Sequence, residues 1–243
     1  MSGGSLVSPE TRQRLRRSAV PVATALGRLG LSPNALTILG FAGTCLAAVL
    51  AANREWLAAG VLVLAFGIFD MFDGALARAT GRVTAFGGFL DSTLDRTGEN
   101  LVLAGIAFGC AAAGFPMGAG LAGLAMAFGS IVTYTRAKAE ALGLHGEVGV
   151  APRPERLLIV TVGLTWAGIA GGIGPLPGTC AAGASGPCFA SDQFQAADLA
   201  LGLALGLIAV LSAVTVIQRI RHVRAQSAGL GPTSTTSSKE QRA

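Results

Sequence analysis

Six apolar segments recur along the chain, and each is long enough to cross the hydrocarbon core of a bilayer, which takes about 17 to 25 residues. They occupy positions 34–52, 56–79, 84–113, 115–141, 157–176 and 196–218. Only 13% of the residues are charged, against about 25% in an average soluble domain. The sequence therefore predicts one all-α integral membrane domain of six transmembrane helices over residues 31–224.

The segment before the first apolar stretch has a different character. Residues 8–30 carry basic side chains early and apolar ones later, interrupted by Pro21, which is typical of an amphipathic helix lying on the membrane surface. A signal peptide is the alternative, but no small-x-small cleavage site precedes a soluble domain. Residues 225–243 are polar and poor in large apolar side chains, so we expect this tail, like residues 1–7, to be disordered.

Basic residues indicate the orientation in the membrane. All of the 18 Lys and Arg residues except Arg54 lie at the chain ends, in or near the connection between segments two and three, or between segments four and five. Since cytoplasmic loops retain Lys and Arg, both termini should be cytoplasmic in a multi-pass plasma-membrane protein. The net charge of +5 then reflects topology and contact with anionic lipids. Nucleic-acid binding is not expected, because no basic-aromatic module is present.

The four cysteines fall into two groups. Cys45 and Cys110 lie inside apolar segments, where a thiol behaves as a small hydrophobic group. Cys180 and Cys188 lie in a Gly/Pro-rich loop on the predicted non-cytoplasmic side, where oxidation is permitted. A disulfide between them and two free thiols are both consistent with the sequence.

Four aspartates stand in the polar halves of the second and third segments. Asp70 and Asp73 are three residues apart and Asp91 and Asp95 four apart, so each pair lies on one face of its helix. Ionised carboxylates near membrane depth each cost about 2.5 to 3.5 kcal/mol and repel one another. A bound cation makes the arrangement tolerable. Oxygen ligands favour Mg²⁺ or Mn²⁺, and four carboxylates are enough for two ions.

Two glycines and an arginine accompany these carboxylates. Gly74 follows the first pair, Gly87 precedes Asp91 by one turn on the same face, and Arg78 lies one turn beyond Gly74. Missing side chains open a slot beside the metals, and the guanidinium fork suits phosphate oxygens. A metal-bridged diphosphate is the expected occupant. The alternatives are Asp–Arg pairs that bind helices together and the proton relay of a transporter.

The pattern D-x2-D-G-x2-A-R-x8-G-x3-D-x3-D resembles the signature of the CDP-alcohol phosphotransferases, six-span membrane enzymes that have a cytoplasmic dimetal site and tend to form homodimers. The resemblance implies that Asp70, Asp73 and Asp91 ligate the metals and that Asp95 both ligates a metal and acts as general base. It implies a CDP pocket lined by Gly74, Ala77, Arg78 and Gly87.

The stretch LSPNALT resembles the family's entry to the first span. That implies contacts of Asn34 and Thr37 with the nucleotide. A simple helix start with an N-cap between Ser32 and Asn34 is equally consistent with these residues.

Basic residues gather at the same predicted cytoplasmic level, which suggests a phosphorylated acceptor; positive-inside topology alone would also place them there. LDSTLDR and RAKAE resemble the phosphatidylinositol-phosphate-forming branch of the family, although PRPER departs from the AERxER-like stretch expected there. This resemblance implies that the acceptor phosphate is held by Lys138, Arg153, Arg156 and Arg219.

The reaction implied is Mg²⁺-dependent transfer of the phosphatidyl group from CDP-diacylglycerol to inositol 1-phosphate, with release of CMP. Lipid tails would then require an apolar groove beside spans two and three. Within the family, glycerol 3-phosphate as acceptor and an archaeol-based lipid remain alternatives. Outside it, a UbiA-type prenyltransferase is disfavoured because its acidic motifs lie far apart in sequence, and a transporter because no inverted repeat is evident.

Overall fold

The structure, a computed structural model, describes residues 21–150 except 22, 26 and 29, together with 152–173 and 196–228. The described residues contain no strand and form six long helices. In chain order these are α1 (Pro33–Ala52), α2 (Trp56–Ala79), α3 (Ala85–Ala112), α4 (Pro116–Ala141), α5 (Arg153–Ile169) and α6 (Ala196–Ala228).

The six helices close into a ring. Each packs mainly on two others, in the order α1, α2, α5, α6, α4, α3 and back to α1. A large buried apolar cluster fills the space between them, and every one of the six helices contributes to it. Representative members are Ala47, Val63, Ile106, Ala122, Leu164 and Leu205.

Local signals define where the helices begin. The Ser32 hydroxyl caps α1 by accepting a hydrogen bond from the Ala35 amide at 3.2 Å, and a proline follows at the first helical position, where its missing N–H costs nothing. Thr84 caps α3 in the same way through the Gly87 amide at 3.0 Å. Between them, α2 ends in a short turn, where Gly81 adopts a φ of +66°.

Two predicted segments have different limits in the structure. The fifth was expected over 157–176, but α5 runs from Arg153 to Ile169, because prolines suit its first turn and Gly171 and Gly172 take positive φ angles just past its end. The sixth was expected to stop at 218, but α6 continues to Ala228. Arg219 and the first four residues of the expected tail are therefore helical.

Helices α1 and α3 approach each other closely through two glycines. A Cβ on Gly105 would lie 2.2 Å from the carbonyl oxygen of Ala48, and one on Gly109 would lie 2.2 Å from that of Ala51. Because these residues are four apart, they form one strip along α3. Small residues of this kind let helix backbones meet inside a membrane.

Four of the described helices are long and apolar enough to cross a membrane, namely α1, α2, α4 and α6. The fifth helix has only 17 residues, and the first half of α3 carries Asp91, Asp95, Arg96 and Glu99. Large apolar side chains point outward around the ring, as lipid-facing surfaces require. Examples are Ile38, Leu46, Phe108, Trp166 and Leu203.

Parts of the predicted amino-terminal helix are described. Residues 21, 23–25, 27 and 28 are helical, and the buried Ala23 belongs to a small apolar cluster with Leu36, Ala75 and Leu76. Residues 1–20, 22, 26 and 29 lie outside the described residues, as do Cys180, Cys188 and the tail beyond Ala228. Cys45 and Cys110 are free thiols, as expected.

Candidate active site

Three of the four predicted carboxylates meet at one end of the ring. Asp70 comes from the last turns of α2, and Asp91 and Asp95 come from the first turns of α3. Each offers a carboxylate oxygen, and the three oxygens lie within 4.8 Å of one another. All three side chains are half-buried. The short turn after α2 keeps the carboxyl end of α2 and the amino end of α3 at the same end of the ring, on either side of α1, so residues some 20 positions apart in sequence share one small volume.

The fourth carboxylate, Asp73, is buried and has separate partners. It accepts a hydrogen bond from the Thr37 hydroxyl at 2.6 Å and another from the Gly74 amide. Thr37, expected to touch a nucleotide, thus links α1 to the acidic segment of α2. Its own hydroxyl lies against the first turn of the helix that Ser32 caps.

Arg153, at the start of α5, reaches the carboxylate cluster. Its Nη1 atom donates to Asp70 at 3.0 Å and also to Asp95. The sequence suggested Arg153 as a ligand of an acceptor phosphate, and the structure places it against two proposed metal ligands. One guanidinium thereby joins α5 to both α2 and α3.

Arg156, one turn later on α5, pairs with Glu99 of α3. Its Nε and Nη2 atoms donate to the two Glu99 carboxylate oxygens at 2.8 and 2.9 Å. The arginine is buried and the glutamate nearly so. This is a bidentate ion pair, the strong form of arginine–carboxylate contact.

The other two residues proposed for an acceptor phosphate differ from each other. Arg219 of α6 is buried and donates to two main-chain carbonyls, that of Val148 at 2.8 Å and that of Val132 on α4. Lys138, in the last turn of α4, is exposed. Arg219 therefore ties α6 to α4 and to the connection before α5.

The residues proposed for the CDP pocket lie beside the carboxylates. A Cβ on Gly74 would stand 3.3 Å from Nη1 of Arg78, which fits the predicted slot covered by a guanidinium. A Cβ on Gly87 would stand 3.2 Å from Oδ1 of Asn34, so the first turns of α1 and α3 meet there. Ala77 is half-buried on α2.

A cleft opens between the helices beside this cluster, and Asp70 and Asp95 both belong to its lining. Charged side chains line one end and apolar side chains line the rest. Its charged lining consists of Asp70, Asp95, Glu99, Arg153 and Arg156, and its apolar lining includes Phe41, Val63, Phe66, Leu94 and Val102. An amphipathic molecule with an anionic head and apolar chains fits such a site.

Glu99 is the site residue that sequence reasoning missed. A signal for it existed, since Asp91, Asp95 and Glu99 follow one another at intervals of four and therefore share one helix face. The intervals extend the acidic stripe of α3 by one turn toward the cleft.

The chemistry of the donor set identifies the kind of ligand. Carboxylate oxygens without histidine or thiolate suit a hard divalent cation, and the oxygens of Asp70, Asp91 and Asp95 lie close enough to share one. The residues present therefore fit a divalent metal beside an anionic substrate.

Comparison with known proteins gives a consistent result. The family profile described as CDP-alcohol phosphatidyltransferase matches residues 30–207. A phosphatidylinositol phosphate synthase of Cutibacterium acnes is 35% identical over 206 residues, which cover 84% of this chain and 91% of the relative. An archaetidylinositol phosphate synthase of Methanothermobacter thermautotrophicus is 40% identical over 153 residues, which cover 63% of this chain and 74% of the relative.

Solved structures of the phosphatidylinositol phosphate synthase of Mycobacterium tuberculosis share the fold. The structure in complex with manganese and citrate has a TM-score of 0.70 at 32% identity and covers 85% of this chain and 88% of the other. The structure with CDP-DAG bound has a TM-score of 0.69 at 31% identity and covers 85% of this chain and 94% of the other.

Proposed function

Because the chain belongs to the CDP-alcohol phosphatidyltransferase family, we propose that it transfers the phosphatidyl group of CDP-diacylglycerol to inositol 1-phosphate. The products are phosphatidylinositol phosphate and CMP. The chain is thus an enzyme of phospholipid biosynthesis that acts on a lipid nucleotide at the membrane.

One observation carries the proposal. Three carboxylates converge within 4.8 Å at the charged end of a cleft whose remaining walls are apolar. A cation held there would face the diphosphate of CDP-diacylglycerol, and the acyl chains would extend along the apolar walls. A soluble nucleotide alone has no acyl chains to contact this apolar lining.

Asp70, Asp91 and Asp95 would hold a divalent metal, with Asp73 completing the set for two ions of Mg²⁺ or Mn²⁺. A metal bound there would supply charge neutralisation for the diphosphate and would activate its phosphorus toward attack. The manganese complex of the Mycobacterium tuberculosis relative supports this assignment. Gly74 and Gly87 leave room for the nucleotide beside these carboxylates.

The protein's own side chains position the reactants. Arg78, Ala77, Asn34 and Thr37 would border the CDP group. Asp95, in the third turn of α3, would accept the proton of the acceptor hydroxyl as that oxygen attacks the phosphorus. CMP then leaves with the bridging oxygen of the broken phosphoanhydride.

The acceptor phosphate would meet Arg153, Arg156, Arg219 and Lys138. Arg153 and Arg156 line the charged end of the cleft, at the level of Asp95. Planar guanidinium groups bind phosphate oxygens in pairs. Three relatives named phosphatidylinositol phosphate synthase are 33–35% identical to this chain over most of its length. They support inositol 1-phosphate over glycerol 3-phosphate as the acceptor.

The membrane arrangement belongs to the same proposal. All six helices would span the plasma membrane within one domain, residues 31–224, following an interfacial helix over residues 8–30. The carboxylate cluster, the basic residues and both termini would face the cytoplasm, where CMP and the acceptor are soluble. The family resemblance supports a homodimer.

The test is an assay of CMP release. Purified protein in detergent–lipid micelles receives CDP-diacylglycerol and Mg²⁺ together with inositol 1-phosphate, glycerol 3-phosphate, free inositol or serine, each added separately. We expect release with inositol 1-phosphate alone. A parallel series with CDP-archaeol distinguishes the lipid, because an archaetidylinositol phosphate synthase is also among the relatives.

Two outcomes would change the proposal. Faster CMP release with glycerol 3-phosphate than with inositol 1-phosphate would support the same mechanism but would identify glycerol 3-phosphate as the acceptor. No release with any acceptor and either lipid would refute the transferase activity.

A further inference from the structure

Glu99 holds one edge of the Arg156 guanidinium through two donor atoms. The carboxylate oxygens of Glu99 accept from Nε at 2.8 Å and from Nη2 at 2.9 Å. A guanidinium is planar and carries five N–H donors in a fixed fork. Two parallel bonds to one carboxylate therefore fix both the plane of the group and the direction of its Nη1 edge.

The surroundings of this ion pair are tight. The Arg156 side chain is 3% exposed and that of Glu99 is 16% exposed. Gly129 of α4 faces the pair, and a Cβ there would lie 3.7 Å from Oε1 of Glu99 and 3.9 Å from Nε of Arg156. Three helices thus enclose one charged contact, which leaves little freedom for another arginine rotamer.

The pair also lies at the reaction site. Glu99 and Arg156 both line the cleft together with Asp95, and Glu99 stands one turn from Asp95 on the same face of α3. A pair serving only to join helices could lie anywhere along α3 and α5. This one lies where the proposed acceptor must bring its hydroxyl.

We propose that Glu99 is a positioning residue, which orients the Arg156 guanidinium toward the phosphate of the acceptor and so aligns the acceptor hydroxyl with Asp95. The inference rests on the proposed function, in which Arg156 contacts that phosphate. Glu99 itself touches neither substrate. Its effect should therefore be specific to the acceptor and should disappear when Arg156 is changed.

The experiment measures acceptor binding and turnover in the full-length, metal-loaded protein. Calorimetry with inositol 1-phosphate, and separately with glycerol 3-phosphate, gives dissociation constants without relying on turnover. For Glu99→Gln we expect the dissociation constant and the KM of inositol 1-phosphate to rise about tenfold or more, as loss of a charged hydrogen-bond partner predicts. The KM of CDP-diacylglycerol should stay within about twofold of the wild-type value. Such a change corresponds to much less free energy than one hydrogen bond contributes.

Three variants separate positioning from stability. Glu99→Asp retains the charge but is one methylene shorter, so it should restore part of the acceptor affinity. Glu99→Gln combined with Arg156→Gln should bind the acceptor no more weakly than Arg156→Gln alone, because the two residues act as a unit. Glu140→Gln is the matched control, since Glu140 pairs with Arg136 at 2.7 Å on the exposed surface of α4; it should change neither constant.

The outcomes are distinct for the two proposals. Three results would overturn the role of Glu99 but not the proposed function. They are unchanged acceptor binding in Glu99→Gln, an equal rise of both KM values, and additive effects in the double variant. If Glu99→Gln does not fold, the same constants are measured for Glu99→Asp. A rise specific to the acceptor supports the role of Glu99, and the absence of that rise overturns it. A wild-type protein that binds neither phosphorylated acceptor would overturn the proposed function and this inference with it.

Discussion

Replacing Gly105 with alanine should weaken the contact between α1 and α3. The added methyl group would lie 2.2 Å from the carbonyl oxygen and 3.0 Å from the carbonyl carbon of Ala48. Both are main-chain atoms of a helix, so no side-chain rotation relieves the overlap. Ordinary carbon–oxygen contacts begin at about 3.3 Å, and the two helices must therefore separate by roughly 1 Å.

The expected cost follows from two opposing effects. Overpacking of this kind costs about 1 to 3 kcal/mol, whereas alanine favours a helix interior over glycine by about 1 kcal/mol. Because the overlap involves main-chain atoms, the upper part of the overpacking range applies, about 2 to 3 kcal/mol, and the net loss of stability should be about 1 to 2 kcal/mol. In a chain of this size that lowers the melting temperature by about 2 to 8 °C.

The measurement is thermal unfolding in detergent, followed by circular dichroism at one heating rate for all variants. Gly123→Ala on α4 is the matched control, because a Cβ at Gly123 meets nothing within 4 Å. It should leave the melting temperature unchanged or raise it slightly. If Gly105→Ala melts at or above the wild-type temperature, the close approach of α1 and α3 is not as described.

Three further predictions concern the site itself. Asp95→Asn should lower kcat about 100-fold or more while calorimetry still detects Mn²⁺ binding; a near wild-type rate of CMP release would exclude the role of general base. Asp91→Asn removes one of three clustered carboxylates, so the Mn²⁺ dissociation constant should rise at least about tenfold, and an unchanged constant would exclude Asp91 as a ligand. Thr37→Val removes the 2.6 Å hydrogen bond to buried Asp73, which should cost about 1 to 3 kcal/mol of stability. Thr37→Ser should restore most of that loss, and equal melting temperatures for all three proteins would contradict it.

Local patterns predicted much of the fold. The second apolar segment, 56–79, coincides with α2, and the first, third and fourth agree with α1, α3 and α4 to within one residue at each end. Hydropathy and segment length are properties of a short stretch of chain, as are the caps at Ser32 and Thr84. The limits of α5 and α6 were less accurate, because there the apolar run and the helix do not end together.

The arrangement of the acidic residues could also be predicted from the sequence, but only in part. Helical periodicity placed Asp91 and Asp95 on one face, and the short turn brought Asp70 to them. The same reasoning grouped Asp73 with these three as a metal ligand, which stays a prediction, but it did not foresee that the Asp73 carboxylate accepts a hydrogen bond from Thr37. A residue on α1 decided that contact, and no pattern within α2 contains it.

The sequence by itself determined the helices, the faces that carry the aspartates and the family. The tertiary structure decided which partner each arginine meets. Arg153 contacts Asp70, 83 residues away, and Arg156 contacts Glu99, 57 residues away. Arg219 contacts two main-chain carbonyls, 71 and 87 residues away. The physical reason is that periodicity describes one helix at a time. Distances between helices depend on the order of packing around the ring and on the small residues, such as Gly105, that set how closely two backbones approach.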